Sequence, residues 1–263
     1  MSRAEPERSY PELGQTERFR YVLRLADTCL ILGQRLGEWV GHAPALEEDL
    51  GVANVSLDLI GQARMLLSYA GEIEAAGRDE DRLAYLRDQN DFFNLALVEQ
   101  PNGDFGCTIV RQVLIDAWQL ELHTWLEAST DQRLREIAAK AVKETRYHLR
   151  YSSGWLIRLG DGTDESHRRV QASLDDLWKF TNEFFTPDEI DVLAENAGVA
   201  PPLSELRTAW SYRIDEILNQ ATLTRPVDVS YGWFGKRGEH TEHLGYILSD
   251  LQFLQRTYPD ATW

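Results

Sequence analysis

The most regular feature of the chain is a spacing of three and four residues between apolar positions, repeated along four long stretches. Phe19, Val22, Ala26, Cys29, Gly33, Leu36 and Val40 fall on one stripe, and Val52, Val55, Leu59, Gln62, Leu66, Ala70 and Ile73 on a second. Ile109, Val113, Asp116, Leu120 and His123 form a third, and Ile137, Ala141, Thr145, His148, Ser152, Trp155 and Leu159 a fourth. An α-helix puts such positions on one face, so the pattern predicts amphipathic helices over about 17–40, 46–76, 104–129 and 131–159. Gly41 to Pro44 turns the chain between the first two, Pro101-Asn102-Gly103 precedes the third, and Gly160-Asp161-Gly162 ends the fourth.

Residues 81–99 predict a shorter helix, and the last third predicts helices over about 165–184, 187–197, 203–219 and 239–258. Thr186 is placed as the cap of the 187–197 helix, with Pro187 in its first position. Residues 221–238 read as loop. Residues 1–16, with Pro6 and Pro11, read as a polar arm, leaving 17–263 as a single helical domain. No βαβ alternation is present. The expected fold is all-α: a four-helix bundle with additional C-terminal helices.

Composition narrows the function. The chain has 263 residues, enough to bury a stable core without disulfides or a structural metal. With 27 basic and 43 acidic residues its formal charge is −16, which argues against a nucleic-acid or anionic-membrane surface. Cys29 and Cys107 have no metal-ligand spacing and fit a reducing compartment. The N-terminus lacks the apolar core of a signal peptide, and no run approaches the roughly 18 apolar residues of a membrane span, so a cytoplasmic protein is expected. The 8 Trp and 10 Tyr lead us to expect a large subunit interface.

Bundles of this kind build metal sites from inward side chains, and a di-iron carboxylate site needs Glu-x-x-His on two of its helices. The chain has no Glu-x-x-His; at the corresponding places it reads Leu59-Ile60-Gly61-Gln62 and Thr145-Arg146-Tyr147-His148. The inward polar candidates are Cys29, Gln62, Asp116, Thr145 and His148. Buried Asp116 needs a partner, for which His148 is the natural choice, although His148 also reads as an ordinary satisfied core histidine. Asp58, Glu121 and Glu144 read as ion-pair partners of Arg64, Lys140, Lys143 or Arg146. His240-Thr241-Glu242-His243 is not His-Glu-x-x-His and suits helix capping or an interface loop. Gly235-Lys236-Arg237-Gly238 before a helix reads either as an anion-binding corner or as a solvated loop. Asn90-Asp91-Phe92-Phe93 mixes polar and aromatic residues before a turn and reads as core.

Six runs resemble one family: LGEWVGHAP (36–44), LDLIGQAR (57–64), LVEQPNGDF (97–105), IDAW (115–118), KETRYHLR (143–150) and GKRGEHTEHLG (235–245). They are similar to the non-catalytic C subunit of bacterial phenylacetyl-CoA 1,2-epoxidase, over residues 20–263. The resemblance implies a ferritin-like subunit paired with a homologous catalytic A subunit that holds the di-iron centre, further small subunits, and a reductase. It implies that the catalytic partner's ligand positions fall here on a residue near Cys29 and on Leu59, Gln62, Asp116, Thr145 and His148, only Asp116 and His148 keeping the ligand type. The pocket is then vestigial, with no cofactor in this subunit. The same resemblance makes Asn90, Asp91, Phe92, Phe93, Lys236 and Arg237 candidates for contact with phenylacetyl-CoA at a shared site. The rival expectations are a self-sufficient di-metal oxygenase and a homo-oligomeric scaffold.

Overall fold

The computed structural model describes residues 10–229, 234–259 and 261, and among them the regular structure is entirely helical. Two long antiparallel hairpins form the bundle: α1 (Gln15–Gly37) with α2 (Leu46–Glu74), and α4 (Phe105–Leu126) with α5 (Gln132–Gly160). The short α3 (Glu80–Tyr85) follows the first hairpin. After the second come α6 (Asp164–Leu177), α7 (Glu189–Asn196), α8 (Leu203–Gln220) and α9 (Glu242–Thr257). α6 and α8 pack on the second hairpin, whereas α7 and α9 return to α1. This is the ferritin-like all-α fold. Residues 1–9 of the expected arm lie outside the described residues; Leu13 is buried, so packing begins before residue 17.

The long helices form where the stripes place them. Val22, Ala26, Ile31, Val55, Leu59, Ile109 and Val113 are essentially inaccessible and share one core. Asp104 and Asp131 begin α4 and α5 by accepting from the backbone N–H of Cys107 at 2.8 Å and Leu134 at 3.0 Å. α1 and α2 cross closely at Gly33, where a Cβ would lie 3.1 Å from Ile60 Cγ1 and 3.3 Å from the Ser56 carbonyl. Ser56 Oγ uses that proximity to donate to the Gly33 carbonyl at 2.7 Å.

Two expectations are corrected. The 187–197 helix begins at Glu189, and its cap is Asp188 rather than Thr186: Asp188 and Asp191 form a reciprocal capping box. The helix expected over 81–99 exists only as α3, followed by a 3₁₀ turn at Gln89–Asp91. From Phe92 to Gln100 every residue except Phe93 is buried, so the segment crosses the interior without an outward face. Beside the expected subunit interface, part of the aromatic content packs within the chain. Trp178, Trp210, Phe184 and Phe185 stack with centroids 5.2–6.2 Å apart, joining α8 to the chain after α6, and Trp118 of α4 packs on Phe184 at 5.4 Å.

The buried 92–100 segment draws its hydrogen bonds from elsewhere. Asp27 of α1 accepts from the Phe93 N–H at 2.9 Å and from the Arg87 guanidinium; both ion-pair side chains are buried. Thr28 accepts from Leu95 N–H at 3.2 Å, and Glu183 from Ala96 N–H at 2.7 Å. Arg87 also stacks on Phe92, 4.1 Å from the ring centroid. Asp27→Ala is therefore expected to lower the unfolding free energy by about 3–5 kcal/mol, because it strands a buried guanidinium and an amide. Urea denaturation of the variant measures this; a loss below about 1 kcal/mol, the size of an exposed pair, would show that the pair is solvated.

Candidate functional site

The bundle centre is polar but closed on itself. Cys29 Sγ lies 3.7 Å from Gln62 Oε1 and accepts from Gln119 Nε2 at 3.6 Å. Burial pushes the Cys29 thiol up to about 12, with the nearby Glu144 and Asp27 charges adding to the shift, so the sulfur stays protonated. Gln62 Nε2 donates to Glu144 Oε2 at 2.9 Å, and Lys140 Nζ stands 3.7 Å from the same carboxylate. Leu59 is fully buried beside them. His123 Nδ1 meets Thr145 Oγ1 at 3.1 Å, and burial pushes His123 down to about 4, leaving it neutral.

The expected Asp116–His148 pair does not form. Asp116 accepts from Gln112 Nε2 at 2.6 Å and from Ser152 Oγ at 2.7 Å. Burial raises its pKa to about 6, opposed by the charge of His148 and by those two hydrogen bonds. His148 turns the other way, placing Nε2 3.0 Å from Asp58 Oδ2. A carboxylate only accepts, so Nε2 carries the hydrogen and the buried Nδ1 is left without a partner. Ser152, one turn beyond His148 on α5, supplies the competing donor. Of the other acids, Glu144 pairs with Lys140 as expected, whereas Glu121 pairs with Arg213, and Arg64 turns to Glu80.

This donor set does not fit a di-iron centre. Leu59 offers no lone pair, Gln62 and Glu144 occupy each other, Thr145 is engaged by His123, and Asp116 and His148 point to different neighbours. Among the described residues, no three His, Cys, Asp or Glu side chains converge as a metal ion would require.

The second group of candidates lies beside another side of α1. Gly238 packs against the Asn90 carbonyl, and Phe93 and Lys236 both line a cavity of about 40 Å³ with Tyr21, Arg24, Thr28 and Trp118. A water needs at least about 10–15 Å³ by this measure, so the space suits a few waters and not a CoA thioester. Lys236 is no free cation: buried, it meets Asp191 Oδ2 and the Thr186 carbonyl, each at 2.5 Å. Arg237 lies against Phe234 and 3.7 Å from Asp188. The anion-binding corner is thus filled by the chain's own carboxylates. Asn90 and Asp91 are exposed and Phe92 is core.

Several residues of this region carry no sequence signal of their role. Glu183, pushed up to about 7 by burial against the pull of two backbone amides, accepts from Lys236 N–H at 2.9 Å and from Ala96 N–H. Arg24 holds Asp188 at 2.5 Å. Buried His240 is engaged inside the chain: Nδ1 lies 3.1 Å from Glu99 Oε1 and Nε2 2.8 Å from the Phe92 carbonyl. Glu99 also accepts from Thr241 N–H at 3.1 Å and Thr241 Oγ1 at 2.9 Å. Spacing could not show this, because the partners are separated by 141 residues.

A ferritin-like helical bundle whose inward polar positions are engaged by one another is the class that fold and site define. The family model of the phenylacetic acid catabolic protein matches residues 1–263, and the chain belongs to that family. It is 54% identical over 243 residues to the C subunit of the 1,2-phenylacetyl-CoA epoxidase of Escherichia coli (strain K12), covering 92% of this chain and 98% of that one. This relationship supports a role in phenylacetate catabolism, and the relative's name, as one lettered part of an epoxidase, implies other subunits. No helix among the described residues is long and apolar enough to cross a membrane.

The His240–Glu99 contact sets a pH dependence. With acceptors on both nitrogens, the ring donates twice only as imidazolium. Burial opposes that charge, but Glu99, the Phe92 carbonyl and the charge of Glu183 outweigh it and hold the His240 pKa above its usual value. A pKa raised by folding stabilises fully below the unfolded value near ~6.5 and loses that stabilisation as pH rises through the higher folded value. His240→Gln should lower the unfolding free energy by about 1–3 kcal/mol at pH 6 and flatten its decline above pH ~6.5. Urea midpoints of both proteins between pH 6 and about 8.5 test this; parallel pH profiles would contradict it.

Proposed function

We propose that this chain is the non-catalytic subunit of a multicomponent phenylacetyl-CoA 1,2-epoxidase, a cytoplasmic complex. In this reading it pairs with and stabilises a homologous subunit that holds the di-iron centre, with electrons supplied by a reductase component. The observation that carries the reading is the bundle centre: fully buried Leu59, the Gln62–Glu144 hydrogen bond and the His123–Thr145 contact occupy the places where iron ligands would stand. The chain itself then contributes shape, a stable surface and no redox group, and the oxygen chemistry belongs to its partner.

Metal analysis of the chain purified alone, and again after co-expression with the catalytic partner, tests the proposal. The expected result is no bound iron in the isolated chain and about two irons per catalytic partner in the complex. Stoichiometric iron in the isolated chain would overturn it in favour of a self-sufficient oxygenase.

A further inference from the structure

α2 carries a second stripe, on the side away from the core. Leu46, Leu50, Asn54, Leu57, Gly61 and Arg64 recur at three, four and seven residues and so share its outward face. Three of them are large apolar side chains left open to solvent: Leu46 at 69%, Leu50 at 56% and Leu57 at 65% exposure. Alongside runs the outward face of antiparallel α5, to which α2 is joined by the Asp58–His148 and Gln62–Glu144 pairs. It adds Tyr147, 41% exposed with Arg150 over its ring, and the exposed cations Lys140, Lys143, Arg146 and Arg150 against a single exposed acid, Glu136. Scattered exposed leucines need no explanation, but a continuous row beside an aromatic residue does.

Gly61 sharpens the point. It sits in the middle of a 29-residue helix, where glycine costs about 1 kcal/mol relative to alanine. Unlike Gly33, where a Cβ would crowd Ile60 and the Ser56 carbonyl, a Cβ at Gly61 would meet no atom within 4 Å. The chain's own packing does not ask for glycine there, whereas a helix of another molecule laid close along α2 would.

We infer that the α2–α5 outer face is the docking surface for a different protein chain, one whose helical surface presents apolar side chains rimmed by carboxylates. This rests on the subunit reading above and gives it a location. The charge distribution selects the partner. The chain carries −16 overall, yet the α5 side of this face is basic. A two-fold contact between copies that laid α5 on α5 would set its cations against themselves, and a head-to-tail contact with an acidic face elsewhere on a copy generates an open filament unless the rotation closes.

Gly61→Leu and Leu57→Glu, assayed by co-purification and titration against the co-expressed di-iron subunit, test the surface. Gly61→Leu should keep or raise Tm, since leucine is the better helix former and has room. Both variants should weaken association about thirtyfold or more, as for a central contact. Phe253→Glu, on the exposed side of α9, should associate like the unsubstituted chain. Undiminished association of both α2 variants, or loss confined to Phe253→Glu, overturns the assignment while leaving the subunit reading intact. Failure of the unsubstituted chain to associate at all overturns both, and a closed homodimer lost in the α2 variants assigns the face to a second copy instead.

Discussion

Everything in this molecule accommodates one irregular stretch of chain, residues 92–100, that passes through the interior without making a helix. Its amides and carbonyls leave water and must be paired, since each one left unpaired costs about 1–3 kcal/mol. The partners come from all around. Asp27 and Thr28 on α1 and Glu183 after α6 take the amides, while Arg35 and Arg111 donate to the carbonyls of Glu99 and Gln100. The groups that satisfy the segment therefore also tie α1, α4 and the C-terminal third to one another. Buried charge is expensive, and here it is retained where backbone needs it.

The same economy explains the C-terminal region. Glu99 lies within this stretch, and its carboxylate receives His240 and Thr241 just before α9. Glu183 receives the Lys236 amide, and Asp188 and Asp191 are shared between the α7 cap, Arg24 and Lys236. Two of the sequence runs that carry the family resemblance, 97–105 and 235–245, thus meet at one buried ion pair. Their common content is architectural: the residues most suggestive of metal or anion binding spend their charges on one another.

What can be read from the sequence follows from the range of the interactions. Helix period and turn chemistry are local, so the four long stripes and the turns that bound them are legible, and with them the fold. The inward identities of Cys29, Leu59, Gln62, Asp116, Thr145 and His148 are legible for the same reason. Their pairings are not, because a choice between Ser152 and His148 for Asp116 depends on angles that spacing does not fix. The 92–100 segment misleads because Leu95-Ala96-Leu97-Val98 is apolar at every position, and such a run is ambiguous between a buried helix and a buried extended chain. Asp27, Glu99 and Glu183 take partners 53 to 142 positions away, beyond any pattern in the neighbourhood.

The bundle centre also bears on how a subunit of this kind can be assembled. A ligand set of several buried carboxylates is stable only when a cation holds it, and without one each charge costs several kcal/mol. On the proposed reading Leu59 stands at such a place and, fully buried, contributes roughly 1.5–3 kcal/mol of burial instead. Gln62 offers both a donor and an acceptor, so it satisfies Cys29 and Glu144 at once without a net charge of its own. Asp116, the carboxylate left deepest in the core, has its pKa moved to about 6, so burial has brought its neutral form within reach of physiological pH. On that reading these residues uncouple the stability of this bundle from metal loading. A scaffold built this way can complete its fold first and present a finished surface to a partner whose own centre still has to be filled.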